Sequence, residues 1–300
     1  MANLPVLLPA WGTAPGSGRT NGLNVKMHWH QGGQDLLFPN NSTRAEDQLA
    51  DLLNDAGTGQ PYTNEAGGPG GDGLYAESTV INYSNDATYR GAFPGDQPFP
   101  YIDPGTPKHV ALAVMAYLEW PAGLHRFGVR RDAGFKLSAG QDFNRTGASL
   151  VLGAFEPGAE SPTATTEFEF MVQTNGVYPL RLVFFQNSGP SDLEWYSVNR
   201  ASGVATLIND PANSNSIKAY LARVGVATVT LQILKPTVSG GNFQFTYPTV
   251  AGRKYSVEFK NSLSDATWQA QPAIDGDGSV KSFGAPVSGA SARFYRVRVQ

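Results

Sequence analysis

Arg130–Gly140 reads RRDAGFKLSAG, an acidic-glycine turn set between two stretches that alternate like β-strands. Before it, in Gly123–Arg130 (GLHRFGVR), Leu124, Arg126, Gly128 and Arg130 share one face, and His125, Phe127 and Val129 share the other. Successive strand residues point to opposite sides, so this run predicts one wet and one dry face. Further out, Phe168, Phe170 and Val172 alternate with Glu167, Glu169 and Met171, with Met171 blurring the polar side. Two more β-rich runs follow, Val177–Gln186 (VYPLRLVFFQ) and Asp192–Val198 (DLEWYSV). The Asn187–Ser191 segment between them has the composition of a hairpin loop. His109–Val198 is therefore expected to be the working half of a β-sandwich, with its loops gathered at one end where function usually sits.

Composition agrees. The chain has 300 residues, 41% hydrophobic and 11% aromatic, enough for one large or two modest cores. Its 34 glycines and 21 prolines recur between short β-rich runs, the texture of a loop-rich all-β protein. Net charge is −3, unevenly spread: residues 1–225 carry 14 basic and 21 acidic side chains, and residues 226–300 carry 8 and 4. That asymmetry supports a two-domain split. A nucleic-acid partner needs a basic face against phosphate, which the larger part lacks, so none is expected. Cysteine is absent, removing disulfides and thiolate ligands. No apolar run reaches the roughly 18–20 residues of a membrane span, so no insertion is expected. Leu4–Ala10 (LPVLLPA) is too short for a signal peptide and lacks a basic flank.

Three parts are expected: an extended tail at 1–21, a sandwich domain at 22–225 and a smaller sandwich at 226–300. In the tail, Leu4, Val6, Leu8 and Trp11 either pack along the chain's own sandwich or add a strand to a neighbouring copy. Gly22–His30 reads as a strand. His28 and His30 fall on one of its sides, which permits metal chelation but equally suits an ordinary solvent face. Thr43–Asp55 reads as a packing helix, with Thr43 and Glu46 at capping-box spacing and an apolar stripe of Leu49, Leu52 and Leu53. GGPGGDG at Gly67–Gly73 lacks the Lys-Ser/Thr ending of a phosphate loop and reads as a surface loop. Leu74–Tyr83 is expected as one short strand and Ser216–Arg223 as a helix. In Tyr89–Tyr101 (YRGAFPGDQPFPY), the rings of Tyr89, Phe93, Phe99 and Tyr101 either stack on sugar C–H faces or cap the sandwich.

The order of these motifs, WPAG at Trp120–Gly123, RDAGFKL at Arg131–Leu137 with Gly140, GVYPLRL at Gly176–Leu182 and LEW at Leu193–Trp195, resembles the PA14-type β-sandwich of secreted bacterial and fungal proteins. The likeness spans roughly residues 20–223 and is nearest to variants in secreted proteins of Verrucomicrobia-like bacteria, where a late Asn-Asp pair recurs, here Asn209-Asp210. It implies a secreted, extracellular protein that binds polysaccharide or a cell-surface glycan. In the family's sugar-binding members, two consecutive Asp residues on the turn hold calcium. This chain has Asp132 followed by Ala133 and preceded by Arg131. One carboxylate is gone and a cation is added, so a calcium shell of six to eight oxygens would need helpers. Asn187, Asp192, Asn209 and Asp210 are candidate helpers, and all four equally suit turns; Asp132, Asn209 and Asp210 are taken as the candidate calcium ligands, and Arg131, Asp132, Asn187 and Asp192 as candidate ligand contacts. Residues 226–300, with FQF at Phe243–Phe245, AGRKYSVE at Ala251–Glu258 and RFYRV at Arg293–Val297, resemble immunoglobulin- or fibronectin-like carboxy-terminal modules of the same bacteria. No G-x-S-x-G or H-E-x-x-H motif occurs, and Glu167 and Glu169 alternate as a solvated face does, so no catalysis is expected. Two other readings remain: a fibre subunit whose copies join through the tail, and a glycan-active enzyme.

Overall fold

The computed structural model describes residues 4–16, 18–30, 38–55, 58–85, 91–102, 108–157, 163–189, 191–223, 233–249, 253–277, 279–287 and 292–299. It divides into two compact units, Met1–Gly225 and Val226–Gln300.

In the first unit the chain forms β1 (Val6–Leu7), β2 (Leu23–His28), helix α1 (Ser42–Leu49), β3 (Leu74–Glu77), β4 (Asn82–Ser84), β5 (Val110–Trp120), β6 (Gly123–Arg131) and β7 (Gly134–Ala139). It continues through β8 (Leu150–Phe155), β9 (Ala164–Val172), β10 (Gly176–Gln186), β11 (Asp192–Val198), β12 (Ala205–Leu207) and β13 (Ala219–Tyr220). One sheet runs β1-β9-β6-β11-β12, with β4 also on β11. The other runs β3-β2-β5-β10-β7-β8, with β13 also on β5. Phe127, Val129, Phe170, Leu193 and Trp195 of the first sheet meet Leu112, Val114, Leu137, Leu182 and Phe184 of the second in one core. Each large ring so buried contributes roughly 1.5–3 kcal/mol. The alternation along Gly123–Arg130 is realised: Phe127 and Val129 are fully buried, and Arg126 faces outward.

Strand β10 is buried along its whole length, and the cause is a third layer. On the far side of its sheet, Ala111, Ala113, Val183 and Phe185 pack against Ala45 and Leu49 of α1. The helix is shorter than expected, and its N-cap is Asn41, whose Oδ1 accepts the Arg44 N–H at 2.9 Å. Glu46 does not close a capping box. It turns inward to Arg181 of β10, with Nη2 to Oε2 at 2.7 Å and Nε to Oε1 at 3.1 Å. Arg181 is buried in that layer, so the carboxylate serves as its counter-charge.

Three local expectations give way. Val177–Gln186 and Asp192–Val198 are not hairpin partners, because β10 lies in the second sheet and β11 in the first. The loop between them crosses the sandwich from one sheet to the other. Leu74–Tyr83 breaks into β3 and β4, which likewise belong to different sheets. Ser216–Arg223 is extended rather than helical: Ser216 Oγ caps the preceding turn by donating to the Leu207 carbonyl at 2.7 Å, and Ala219 and Tyr220 pair with Leu118 and Tyr117.

The tail joins the first unit's own sheet. Val6 and Leu7 pair in parallel with Met171 and Val172, and Leu7 is fully buried in the common core. Thr13 then exchanges backbone hydrogen bonds with Val177.

The second unit has its own core of Phe245, Tyr247, Tyr255, Val257 and Val297. Its strands are β14 (Leu234–Ser239), β15 (Asn242–Pro248), β16 (Lys254–Lys260), β17 (Gln269–Ala270), β18 (Ile274–Asp275), β19 (Val280–Pro286) and β20 (Phe294–Val299). They form one sheet in the order β14-β15-β19 and another with β17, β18 and β20 on β16.

Candidate functional site

The β6–β7 turn crosses between the sheets beside the β10–β11 crossing, and the two are tied together: the Asp132 N–H donates to the Asp192 carbonyl at 3.1 Å. Ala133 at the turn is fully buried with φ 78°, a left-handed backbone that costs a residue with a side chain about 1 kcal/mol or more. Asp192 is 1% exposed, and its Oδ2 accepts from Thr163 Oγ1 at 3.1 Å. Arg131 does not face solvent as a ligand contact must. It is 2% exposed, its guanidinium lies 3.9 Å from the centre of the Phe155 ring, and Nη1 donates to the Ala164 carbonyl at 3.1 Å. Burial pulls its pKa below the usual arginine value, and Asp132 opposes that shift.

Asn187 sits at the same end, and its amide is used by the protein: Oδ1 accepts from Arg44 Nη2 and Nδ2 donates to the Phe38 carbonyl, both at 2.9 Å. Asn209 and Asp210 belong to the opposite end. The Asn209 side chain donates to the carbonyls of Ser78 and Thr79 at 3.2 and 2.7 Å and accepts the Ala219 N–H at 3.2 Å. Ala219 pairs with Leu118, eight residues along β5 from Val110, which is about 26 Å at the usual strand rise. Asp210 Oδ1 accepts the Ala212 N–H at 2.9 Å and so closes a turn. The three candidate calcium ligands are thus divided between two ends. Among the described residues no group of three His, Cys, Asp or Glu is placed to hold a metal ion. The described residues among the three candidates do not fit a calcium centre at the Asp132 turn.

The candidate aromatic platform also separates. Tyr89 lies outside the described residues. Phe99 is 2% exposed and packs on Phe184 and Tyr83 at 5.7 and 5.3 Å between ring centroids, so it is core. Phe93 is half-buried on Tyr196 at 5.3 Å, over the outer face of the first sheet. Among the described rings of this set, Tyr101 alone is well exposed, at 43%. Its backbone is left-handed, φ 60°, and its carbonyl accepts from the buried Trp29 Nε1 at 3.1 Å. Its ring stands edge-on to Tyr75 at 5.2 Å. The Gly67–Gly73 loop lies against that ring: at Gly68, φ 110°, the position a Cβ would take is 3.8 Å from Tyr101 Cε2. A second aromatic group stands near the end of β2, where Tyr62 packs on His30 at 4.7 Å and on Phe38 at 5.3 Å.

Two polar assemblies were not foreseen. Glu194, 1% exposed, accepts the N–H groups of Ala92 and Phe93 at 3.0 and 2.9 Å and pairs with Arg130 at 3.3 Å, pinning segment 91–97 to β11. Burial raises its pKa, and the two backbone donors and Arg130 partly offset that. Beside it Tyr196 lies across Gly128, where a side chain would collide with the ring at 2.1 Å. Beneath α1, Gln48 Nε2 meets His28 Nδ1 at 3.1 Å and the His28 carbonyl at 3.2 Å. His28 is thereby a packing group under the helix. The L-E-W motif contained Glu194, but nothing in its spacing says that a distant loop supplies its donors.

No protein-family model matches the chain, and no curated protein does. Among solved structures it is similar to a subtype-switched epithelial adhesin A domain from Candida glabrata, in complex with β-lactose. That match has 13% identity over 75% of this chain and 98% of the other, with a TM-score of 0.48. It is also similar to a PA14 sugar-binding domain from an RTX adhesin, at 15% identity over 63% and 95% of the two chains, TM-score 0.41. A third is the PA14 domain of an antifreeze protein, at 14% identity over 69% and 94%, TM-score 0.41. With every one of these scores below 0.5, what the loop end does is read from its own residues.

Proposed function

We propose that this chain is a secreted, non-catalytic carbohydrate-binding or adhesion protein that takes polysaccharide or cell-surface glycan at the Tyr101 end of its first unit, without calcium. The observation that carries this reading is Tyr101 itself. A large, exposed ring is held in a left-handed backbone by a buried indole donor and a glycine-rich loop, and strain of this kind persists where surrounding structure over-determines it, characteristically at binding sites. A fixed ring beside a polar loop suits the C–H face of a pyranose. Asp72 in that loop supplies an exposed carboxylate, its Oδ1 already accepting the Leu74 N–H at 3.0 Å. The motif resemblance of residues 20–223 to PA14-type sandwiches supports the same class of ligand, and the second unit is read as an immunoglobulin- or fibronectin-like module carried with it. The fibre reading draws no support from the tail, whose strand completes its own sheet.

The test is a glycan array with plant, microbial and animal polysaccharides, with and without calcium, followed by titration of the best ligand. Tyr101→Ala is expected to weaken binding by about tenfold or more, equivalent to about 1.4 kcal/mol. Silence of the intact protein on every glycan, or binding unchanged in the variant, overturns the proposal. Turnover of a bound glycan would instead favour an enzyme.

A further inference from the structure

At the end of the first unit opposite Tyr101, three clefts adjoin one another. The first, about 350 Å³, is walled by Trp120, His125, Arg126, Ser197, Thr206 and Asn215. The second, about 310 Å³, shares Trp120 and Ile217 with it and continues past Pro121 to Glu119 and Lys218. The third, about 530 Å³, shares Glu119 and Lys218 with the second and ends at Arg19 and Tyr220. Shared walls set them side by side as a segmented groove, each part within the usual size of a small-ligand pocket.

We propose that this groove binds a neutral, linear oligosaccharide, as a second glycan site distinct from the Tyr101 end. The charge in its first cleft is committed to the protein. Arg126 donates to Glu169 through Nε at 3.2 Å and Nη2 at 3.0 Å, and Glu169 also holds Arg200 at 3.0 Å. Arg19 donates to the carbonyls of Gly16 and Ala14, each at 2.8 Å, and to that of Arg223 at 3.1 Å. The Tyr220 hydroxyl donates to Glu119. Lys218 stands on the exposed rim between them. An anionic ligand in the first cleft would have to break the Arg126–Glu169 pair, whereas a neutral one leaves it intact.

The accessible ring of the first cleft is fixed. His125 is backed by Trp120 at 4.6 Å, which packs in turn on Phe127 at 4.8 Å and Phe170 at 5.3 Å. Its Nε2 lies 2.9 Å from the Pro121 carbonyl. A carbonyl only accepts, so Nε2 carries the proton and Nδ1 is left as an acceptor. Burial lowers the ring's pKa, which keeps it neutral. Around it stand the hydroxyls of Ser197, Ser202 and Thr206 and the amide of the exposed Asn215. A rigid neutral ring among neutral donors and acceptors matches alternating C–H and hydroxyl surfaces, and the row of clefts matches a chain of sugar units.

The full-length protein, labelled at its histidine imidazoles, would be titrated by NMR with cellohexaose, xylohexaose and chitohexaose, with an oligogalacturonate as the charged comparison. His125→Gln assigns the signal. One neutral hexaose is expected to shift the His125 resonance saturably at millimolar concentration, with affinity falling about tenfold or more in Asn215→Trp and Val204→Trp, which fill the groove from exposed positions. No movement with any neutral hexaose, affinity unchanged in both tryptophan variants, or tighter binding of the galacturonate overturns the proposal. Tyr101→Ala should leave this titration untouched, so that failure of the groove and failure of the Tyr101 site are told apart.

Discussion

Ala133 shows how one side chain decides a site. It occupies a buried position on a turn where the resembling family has a carboxylate, and its φ of 78° is one that Asn, Asp and Gly adopt more readily. With Asp132 at one end and the Asn209-Asp210 pair at the other, these three residues cannot close one oxygen cage. Millimolar calcium is therefore expected to leave the melting temperature where EDTA leaves it, because a cation stabilises only in proportion to its binding to the native state. A reproducible rise with calcium would show that a site is assembled. His28 carries a second residue-scale prediction. Burial is the largest influence on it and lowers its pKa from 6.5 to about 4, against the pull of Asp51 and alongside Lys26 and His30. A base with a depressed folded pKa binds fewer protons folded than unfolded, so its stabilisation is complete above about pH 6.5 and drains away toward pH 4. The loss should reach roughly 3 kcal/mol, read as a urea midpoint that falls on acidification and falls less in His28→Gln. His125 shifts in the same direction, and Glu194, raised by burial, acts in the opposite one. Neither histidine environment was legible locally: the alternation of Gly22–His30 puts His28 and His30 on one side, but only α1 decides that this side is covered.

Among the elements, α1 shows where local spacing misleads. Thr43 and Glu46 fit a capping box by position, yet Glu46 is the anchor that docks the helix on β10 through Arg181. Removing one partner leaves the other charge buried and alone. Glu46→Met should cost about 3–5 kcal/mol in urea unfolding, and Glu46→Met with Arg181→Met should cost less than Glu46→Met alone. A double variant that simply adds the two single losses would mean that the pair is not coupled. The apolar run Val177–Gln186 carried the signal for this layer, since a strand without a polar face needs cover on both sides. Its hairpin reading failed because the composition of a five-residue loop is the same whether it turns within a sheet or crosses to another.

At the scale of the whole molecule, the tail and the two cores make separate claims. Leu7 is a core residue, so deleting residues 1–8 should cost at least the roughly 2–5 kcal/mol of a buried Leu truncation, while light scattering reports unchanged association. Association lost on deletion would show that the tail also joins copies. Because the units bury distinct cores, Tyr255→Ala should lower one calorimetric transition and leave the other in place. The all-β class, the dry faces of β6 and β9 and the strand-rich carboxy-terminal segment were determined by the sequence itself. Their signal is a period of two between neighbours in the chain, and such alternation needs no partner to be read. Which sheet each strand joins, which end of the sandwich receives Asp132 or Asn209, and which rings stay in water were decided only by tertiary structure. Those outcomes depend on pairings between segments up to about 200 residues apart, such as Val6 with Met171 and Arg223 with Trp11, whose energies are shared across the whole core rather than carried by any local stretch.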